Sequence, residues 1–212
     1  MILTIWDKNA NGFGDSSYLL NRGTLFPDVD ENGIRNSLGR TNGFIVSAQS
    51  NTHPSDITDG LATTIAMSER LVISEGIIND NSKMSRIEGL RYLWWTEQRH
   101  VEVGGEAMAA EQALHRRTTT WPQAVLGLSF SYVSSFWYDH ILVPNSFGSH
   151  NGPEDYDSNK YSYCKIIPAS SLHFGGVNCL FSDGSVRFLN EAIDLGVWRA
   201  FGTRNAGDAI TE

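Results

Sequence analysis

Two short strand-like runs near the C-terminus, residues 177–182 and 185–189, are separated only by Asp183 and Gly184. An Asp-Gly pair between two such runs is the strongest short-range signal for a β-hairpin. It favours a type I′ turn, which requires positive φ at both turn positions. The pair constrains the fold more than any other feature, because it commits this end of the chain to an antiparallel sheet.

The hairpin and the residues after it also predict a core face and a helix. Alternate residues of a strand share a face, so one face of the first strand is expected to hold Val177, Cys179 and Phe181. Asp194 is a typical helix-capping residue, and the sequence after it predicts a short helix that ends at Gly202.

A further strand is predicted over residues 63–73, where apolar residues alternate with small or polar ones. Its apolar set is Ile65, Met67, Leu71 and Ile73. Glu69 falls on the same face as this set. A carboxylate on a buried face needs a partner, since burying it unpaired is costly. The alternative is that Glu69 lies near the wet end of the strand.

The remaining segments are mixed. Residues 91–95 and 126–138 carry aromatic side chains and predict strands, residues 106–117 predict a short helix, and residues 145–160 predict an exposed loop. No segment has the composition of a linker between domains. We therefore predict one domain over residues 1–212 with an α+β fold, built from a mainly antiparallel sheet, long loops and one or two short helices.

Charge, hydropathy and motif content exclude several functions. The chain has 24 Asp and Glu against 16 Lys and Arg, a net charge of −8, so nucleic acid is not expected as a partner. Its apolar runs are far shorter than the ~20 residues of a membrane helix, so no membrane span is expected in this chain. Common nucleophile, zinc-protease and P-loop motifs are absent from the sequence, so no catalytic residues are assigned.

Two loops rich in Asp and Asn are candidate calcium sites. Oxygen ligands at alternate positions of a loop turned by glycine converge on one point, which suits a hard cation. The candidate ligands are Asp7, Asn9, Asn11 and Asp15 in the first loop and Asp28, Asp30 and Asn32 in the second. Neither loop is an EF-hand, because Tyr18 and Gly39 stand where the twelfth-position glutamate belongs. The alternative is that these residues simply form turns.

Four sequence blocks, in order along the chain, resemble one known family. In residues 173–184, HFGGVNCLFSDG, nine residues separate the histidine from the Asp-Gly pair. This resembles the H-x9-DG signature of the prepilin-like proteins of planctomycete-type bacteria, a domain-of-unknown-function family, and that portion spans about residues 165–212. Residues 57–69, 140–145 and 198–204 resemble three further blocks. The matching positions are Asp59, Gly60, Glu69, His140, Pro144, Asn145, His173, Gly175, Gly176, Asp183 and Gly184.

The resemblance implies a pilin-head-like domain at the cell surface or outside the cell. Its role would be structural and non-enzymatic, with further copies or other pilin-like subunits as partners. Family members usually begin with a prepilin leader and an apolar helix, which this sequence lacks, so the mode of assembly stays open. The alternative is an extracellular binding module, stabilised by calcium, that recognises a glycan or a protein through Trp94, Trp95 or Trp137. A hydrolase is less favoured, because no nucleophile–base pair is present.

His173 and Asp183 are expected to be structural residues. The hairpin places them at opposite ends, up to ~30 Å apart if extended, whereas an acid–base pair needs contact near ~3 Å. His173 is instead expected to bond a carboxylate on a neighbouring strand, with Glu69 as the candidate. If the protein is extracellular, as the resemblance implies, Cys164 and Cys179 are candidates for a disulfide; in a reducing compartment they would be two buried thiols.

Overall fold

Nine strands and two short helices organise the part of the chain that the computed structural model describes, residues 17–24, 41–45, 51–71, 85–96, 122–124, 137–151 and 165–207. The strands are β1 (Tyr18–Asn21), β2 (Ile65–Glu69), β3 (Tyr92–Thr96), β4 (Pro122–Ala124), β5 (Trp137–Tyr138), β6 (Gly148–Asn151), β7 (Lys165–Ile166), β8 (Gly176–Phe181) and β9 (Val186–Asn190). The helices are α1 (Arg86–Leu90) and α2 (Leu195–Gly202), and Pro54–Asp56 form a 3-10 turn. The predicted α+β class is confirmed.

The strands form two sheets, a five-stranded one in the order β5-β1-β2-β8-β9 and a four-stranded one in the order β4-β3-β6-β7. Five of the seven described pairings are antiparallel, and β1–β5 and β3–β6 are the parallel ones. The predicted loop over residues 145–160 is wrong in part, because β6 pairs with β3 inside it. Its Gly, Ser, His and Asn residues have little strand propensity, so the long-range pairing decides their conformation.

The C-terminal hairpin is confirmed, but its turn differs from the predicted type I′. Only Gly184 has positive φ (87°), whereas Asp183 does not. The Gly184 N–H donates to Phe181 O (3.0 Å) and the Phe181 N–H donates to Ser185 O (2.8 Å), which matches a three-residue loop with one left-handed glycine. Asp183 Oδ1 accepts from the N–H (2.9 Å) and hydroxyl (2.7 Å) of Ser185. These local bonds favour the longer loop.

A β-bulge in β2 reverses which residues face the core. The register against β8 shifts between Ile65 and Met67. Ile65, before the bulge, is completely buried. Beyond the bulge Ser68 is completely buried and Met67 is only partly buried. The predicted shared face of Ile65, Met67 and Glu69 is therefore wrong, because an extra residue in a strand exchanges its two faces. Glu69 lies on the face opposite the core.

Helix α2 begins and ends where the sequence predicts. The Asp194 carboxylate caps it by accepting the N–H groups of Gly196 (2.8 Å) and Val197 (3.1 Å). Gly202 ends it for a reason other than a left-handed cap, since its φ is not positive. A Cβ at Gly202 would lie 2.3 Å from Cγ of His140. The glycine is needed because the imidazole ring packs directly on the helix backbone.

The core lies between one face of the five-stranded sheet and α2. Its fully or almost fully buried members are Leu19, Ile65, Tyr138, Ile167, Ala169, Val177, Cys179, Phe181 and Trp198. The face predicted for β8 is therefore confirmed. Asn21 of β1 joins distant parts of this core, because its Nδ2 donates to Ile65 O (2.6 Å) and to Gly202 O (2.9 Å).

The strand predicted over residues 91–95 is confirmed as β3. The helix predicted over residues 106–117 lies outside the described residues, as does most of the strand predicted over 126–138. In the described ranges no helix is long and apolar enough to span a membrane.

Candidate functional site

The His173–Glu69 contact expected from the sequence is present on the face opposite the core. His173 Nε2 lies 3.1 Å from Glu69 Oε1. The same carboxylate accepts the backbone N–H (2.8 Å) and the side-chain amide (3.2 Å) of Asn178 in β8. The His173 side chain is 57% exposed and that of Glu69 only 12%. The pair thus connects the loop before β8 to the neighbouring strand β2. The Glu69 carboxylate, which is largely buried, has hydrogen-bond partners in both.

The loop before β8 is also fixed by hydrogen bonds between the Ser171 side chain and the loop backbone. The Ser171 hydroxyl donates to Gly176 O (3.0 Å) and accepts the N–H of His173 (2.9 Å). Gly175 has φ 77°, a conformation that favours glycine. A Cβ at Gly176 would lie 2.1 Å from Leu189 O, so both glycines of this motif are required by the backbone path.

Asn145 connects the same loop to two other segments. It is buried and has positive φ (57°), which asparagine tolerates better than most residues. Its Oδ1 accepts the N–H of Ser171 (3.0 Å) and its Nδ2 donates to Glu191 Oε2 (2.8 Å). Pro144 before it is also buried. Asn145 therefore holds the loop through Ser171, and Pro144 is buried next to it.

Asp59 and Gly60 hold the segment that follows α2. The Asp59 carboxylate accepts from the Thr203 hydroxyl (3.2 Å), from the Ala206 N–H (2.8 Å) and from the Gly207 N–H (2.9 Å). Gly60 has φ 105°. These contacts explain an Asp-Gly pair at this position by structure alone.

His140 is a buried, neutral histidine. Its Nδ1 lies 2.9 Å from Trp198 O, and its Nε2 lies 2.8 Å from the Tyr138 hydroxyl. A carbonyl oxygen can only accept, so Nδ1 carries the proton and Nε2 accepts from the tyrosine. The ring also stacks on Trp198 at 4.0 Å between centroids. Burial lowers the pKa of His140 to about 3. With both nitrogens engaged, this residue serves packing.

Asp183 lies at the opposite end of the hairpin from His173, as expected, and the structure does not bring the two together. It is exposed at the turn, where hydrogen bonds from the Ser185 hydroxyl and N–H lower the pKa of its carboxyl. Arg187 lies 3.9 Å away. Its neighbour Gly184 supplies the left-handed conformation described above. This half of the signature shapes the turn.

Cys179 is a free, buried thiol whose Sγ donates to the Ser68 hydroxyl (3.3 Å). Burial raises its pKa to about 12, so the reactive thiolate is suppressed. This matches the buried-thiol alternative for Cys179, while Cys164 lies outside the described residues.

The seven candidate calcium ligands, Asp7, Asn9, Asn11, Asp15, Asp28, Asp30 and Asn32, lie outside the described residues, and calcium binding stays a prediction. Within the described ranges no group of three or more His, Cys, Asp or Glu side chains is placed to hold a metal ion.

Two buried arginines, Arg22 and Arg70, are not predicted by the sequence pattern. Arg22 forms an ion pair with Asp139, with NH2 and Nε lying 2.6 and 2.7 Å from Oδ1, and both side chains are almost completely buried. Asp139 Oδ2 also accepts the Ile167 N–H (3.0 Å). Arg70 donates through NH1 to Ser170 Oγ (2.8 Å), while its Nε and NH2 have no hydrogen-bond partner among the described residues. Burial lowers the pKa of Arg70 to about 10. No local pattern marks these residues, because their partners are remote in the chain.

An exposed apolar surface adjoins the His173–Glu69 pair. We call it the apolar rim, and it consists of Leu172, Phe174, Val186 and Phe188. Phe174 is fully exposed, and Val186 and Phe188 on β9 are 65% and 49% exposed. The ring of His173 meets Phe188 edge-on at 6.5 Å. Trp137, one of the aromatic residues singled out in the sequence, is instead buried, and the side chains of Trp94 and Trp95 lie outside the description.

The contacts of Glu69 and His173 predict unequal effects on stability. Replacing Glu69 by alanine is expected to lower the free energy of unfolding by about 1.5–3 kcal/mol, because it removes a charged acceptor from the Asn178 N–H. Replacing His173 by alanine should cost less than about 1 kcal/mol, because that half of the pair is exposed. Urea unfolding of the single and double variants measures both. Equal losses, or no loss for Glu69→Ala, would contradict this assignment.

Comparison with protein families identifies the chain. The family model described as "Protein of unknown function (DUF1559)", SBP_bac_10, matches residues 21–196, which include the motif positions from Asp59 to Gly184 but not the block over residues 198–204. Searches of curated proteins and of solved structures gave no significant match. Since the match covers most of the chain, the protein belongs to the DUF1559 family.

Proposed function

We propose that this protein is a non-enzymatic, pilin-like globular head at the cell surface that acts through protein–protein contacts. The observation that carries the proposal is the apolar rim, where large apolar side chains stand exposed on a loop and strand that the motif residues hold in place. Exposed apolar residues gathered in one patch commonly mark an interaction surface.

The rim is held in a fixed conformation. The loop that carries Leu172 and Phe174 is tied to β2 by His173 and to the buried Asn145 through Ser171. A surface that is ordered before it binds loses less conformational entropy on association. This arrangement favours a role in which the motif residues present apolar side chains to a protein.

The chemistry of the motif residues supports a structural role as well. His140 uses both ring nitrogens in buried contacts, Asp59 receives three hydrogen bonds from the segment after α2, and Glu69 is shared between β8 and the loop.

Covering a phenylalanine or a valine side chain contributes about 1.5–3 kcal/mol. Contacts over the rim therefore have a larger driving force than polar contacts elsewhere on this surface.

The test combines surface labelling with site-specific crosslinking in intact cells that make the full gene product. A membrane-impermeant amine label should reach the protein without lysis. A photocrosslinking amino acid at Phe174 should form covalent adducts with protein, whereas the same group at Ser55, an exposed position in the 3-10 turn, should not. Labelling only after lysis, or equal adduct yields at positions 174 and 55, would refute the proposal.

A further inference from the structure

The backbone groups on the outer side of β9 pair with none of the other strands that the structure describes. The N–H of Phe181 donates to Ser185 O, and the N–H of Glu191 donates to Gly175 O. In an antiparallel ladder every second residue of a strand bonds the same neighbour, so the odd-numbered residues of β9 face β8. The N–H and C=O groups of Val186 and Phe188 therefore point away from β8. Among the described strands none pairs with that side.

This edge lacks the usual protection against pairing. Natural edge strands are commonly guarded by proline, by lysine or by a bulge. Strand β9 reads VRFLN and contains neither proline nor lysine. Its single charge, Arg187, lies over the ring of Phe181 at 4.2 Å and is 3.9 Å from Asp183. The apolar Val186 and Phe188 are exposed on this strand, as are Arg187 and Asn190.

We infer that β9 is the site of self-association, at which a second copy of the chain adds its own β9 in antiparallel orientation about a two-fold axis at Phe188. This deepens the proposed function, on which it rests, by naming the partner of the β9 part of the apolar rim. The pairing would bring about six backbone hydrogen bonds to the outward groups of the two strands. It would also make an isologous contact, the commonest type in homodimers.

Side-chain register favours a second copy over an unrelated strand. With the axis at Phe188, that residue faces its own equivalent, and facing aromatic pairs stabilise neighbouring strands. Val186 faces Asn190 of the second copy, and Arg187 faces Leu189 of the second copy. No like charges are opposed within the strand. The chain carries a net charge of −8, yet β9 contains no acidic residue, so two copies meet there with little local repulsion.

The face of the sheet would continue across the axis. Leu20, Met67, Leu180 and Val186 are paired in series from β1 to β9 and form one row on the face opposite the core. Adding a second β9 would extend this face of the sheet, with Asn190 of the second copy next to Val186 at the end of the row. Two five-stranded sheets would then form one sheet of ten strands (5 + 5), within the usual size of about ten for open sheets.

Disulfide trapping of the purified full chain tests the geometry. Residues directly opposite in a hydrogen-bonded antiparallel pair have Cα atoms about 5.5 Å apart, which suits a disulfide. With oxidised glutathione as oxidant, Phe188→Cys should therefore yield a covalent dimer. Val186→Cys, which faces position 190 rather than itself, should yield no more dimer than the unsubstituted chain. Equal trapping at positions 186 and 188, or none at 188, would overturn the inference.

Sedimentation of the same protein without oxidant tests the affinity. The chain should show a concentration-dependent monomer–dimer equilibrium, and Phe188→Lys or Val186→Lys should weaken it by at least about tenfold. Leu61→Lys, at an exposed apolar position outside β9, should leave it unchanged. Circular dichroism checks that each variant is folded. If only one of the two β9 variants folds, that variant alone is enough for the test. A strictly monomeric chain would overturn the inference while leaving the Phe174 crosslinking result, and with it the proposed function, intact.

Discussion

Replacing Asp139 by alanine is expected to lower the free energy of unfolding by about 3–5 kcal/mol. The Asp139 carboxylate is fully buried and accepts from two guanidinium nitrogens of Arg22 and from the Ile167 N–H. Its removal takes this counter-charge away from Arg22, which is also buried, and removing one partner of a buried ion pair is far more costly than losing a surface contact. Denaturant unfolding of the purified chain, monitored by circular dichroism, measures the loss.

Two variants make this result specific. The double variant Arg22→Met with Asp139→Leu replaces the pair by apolar side chains and should recover most of the loss, because it removes both charges of this pair together. Arg86→Ala removes one half of the exposed Arg86–Glu191 pair, whose atoms lie 3.4 Å apart, and should cost less than about 1 kcal/mol. A similarly small loss for Asp139→Ala would show that the buried pair does not contribute as its geometry indicates.

Acidification below pH 6.5 is expected to lower the free energy of unfolding through His140, by roughly 1 kcal/mol per pH unit. Burial lowers the pKa of this imidazole from 6.5 to about 3 in the folded protein. Below pH 6.5 the unfolded chain therefore binds a proton at this position that the folded protein does not. Above pH 6.5 the residue is neutral in both states and does not change the free energy of unfolding. As the pH falls from 6.5 towards 3, that free energy decreases progressively, in total by about 5 kcal/mol.

The control for this prediction is His140→Gln, which keeps a hydrogen-bonding side chain but does not titrate. Its free energy of unfolding should be lower at pH 7.5 and should depend less on pH between 6.5 and 4.5. Asp139 lies next to His140 in the chain, and burial raises the pKa of its carboxyl although Arg22 opposes this. Asp139 therefore changes the free energy of unfolding with pH in the opposite direction. Both proteins contain Asp139, so its effect cancels in the comparison. Tyr138 stays protonated, since burial raises its pKa further. Parallel pH profiles of the two proteins would contradict the prediction.

The features that the sequence predicted correctly are those determined over short distances in the chain. The Asp183-Gly184 pair predicts the β8–β9 hairpin, and Asp194 predicts the start of α2, because turn and cap chemistry involve only neighbouring residues. The Glu69–His173 contact was also predicted, but from a premise that was wrong in part, because Glu69 lies on the face opposite the core and not on the buried face.

The features that it did not predict depend on long-range geometry. The bulge in β2 has no local marker, so a strict alternation assigned Met67 to the core and missed Ser68. The Arg22–Asp139 pair joins residues 117 positions apart, and neither residue differs from an ordinary surface charge in its local sequence. The turn at Asp183 came out one residue longer than predicted, because hydrogen bonds to Ser185 compete with the type I′ geometry.

The side chain of Asn21 has a consequence for how the protein reaches its native state. Its amide binds the carbonyl of Gly202, 181 residues away in sequence, so the two ends of the described chain meet within one hydrogen-bonded cluster. Contacts of such long sequence separation slow folding, because the intervening chain must first be brought together. During synthesis, the Asn21 side chain of β1 can bind the Gly202 carbonyl only after almost the whole chain has been made.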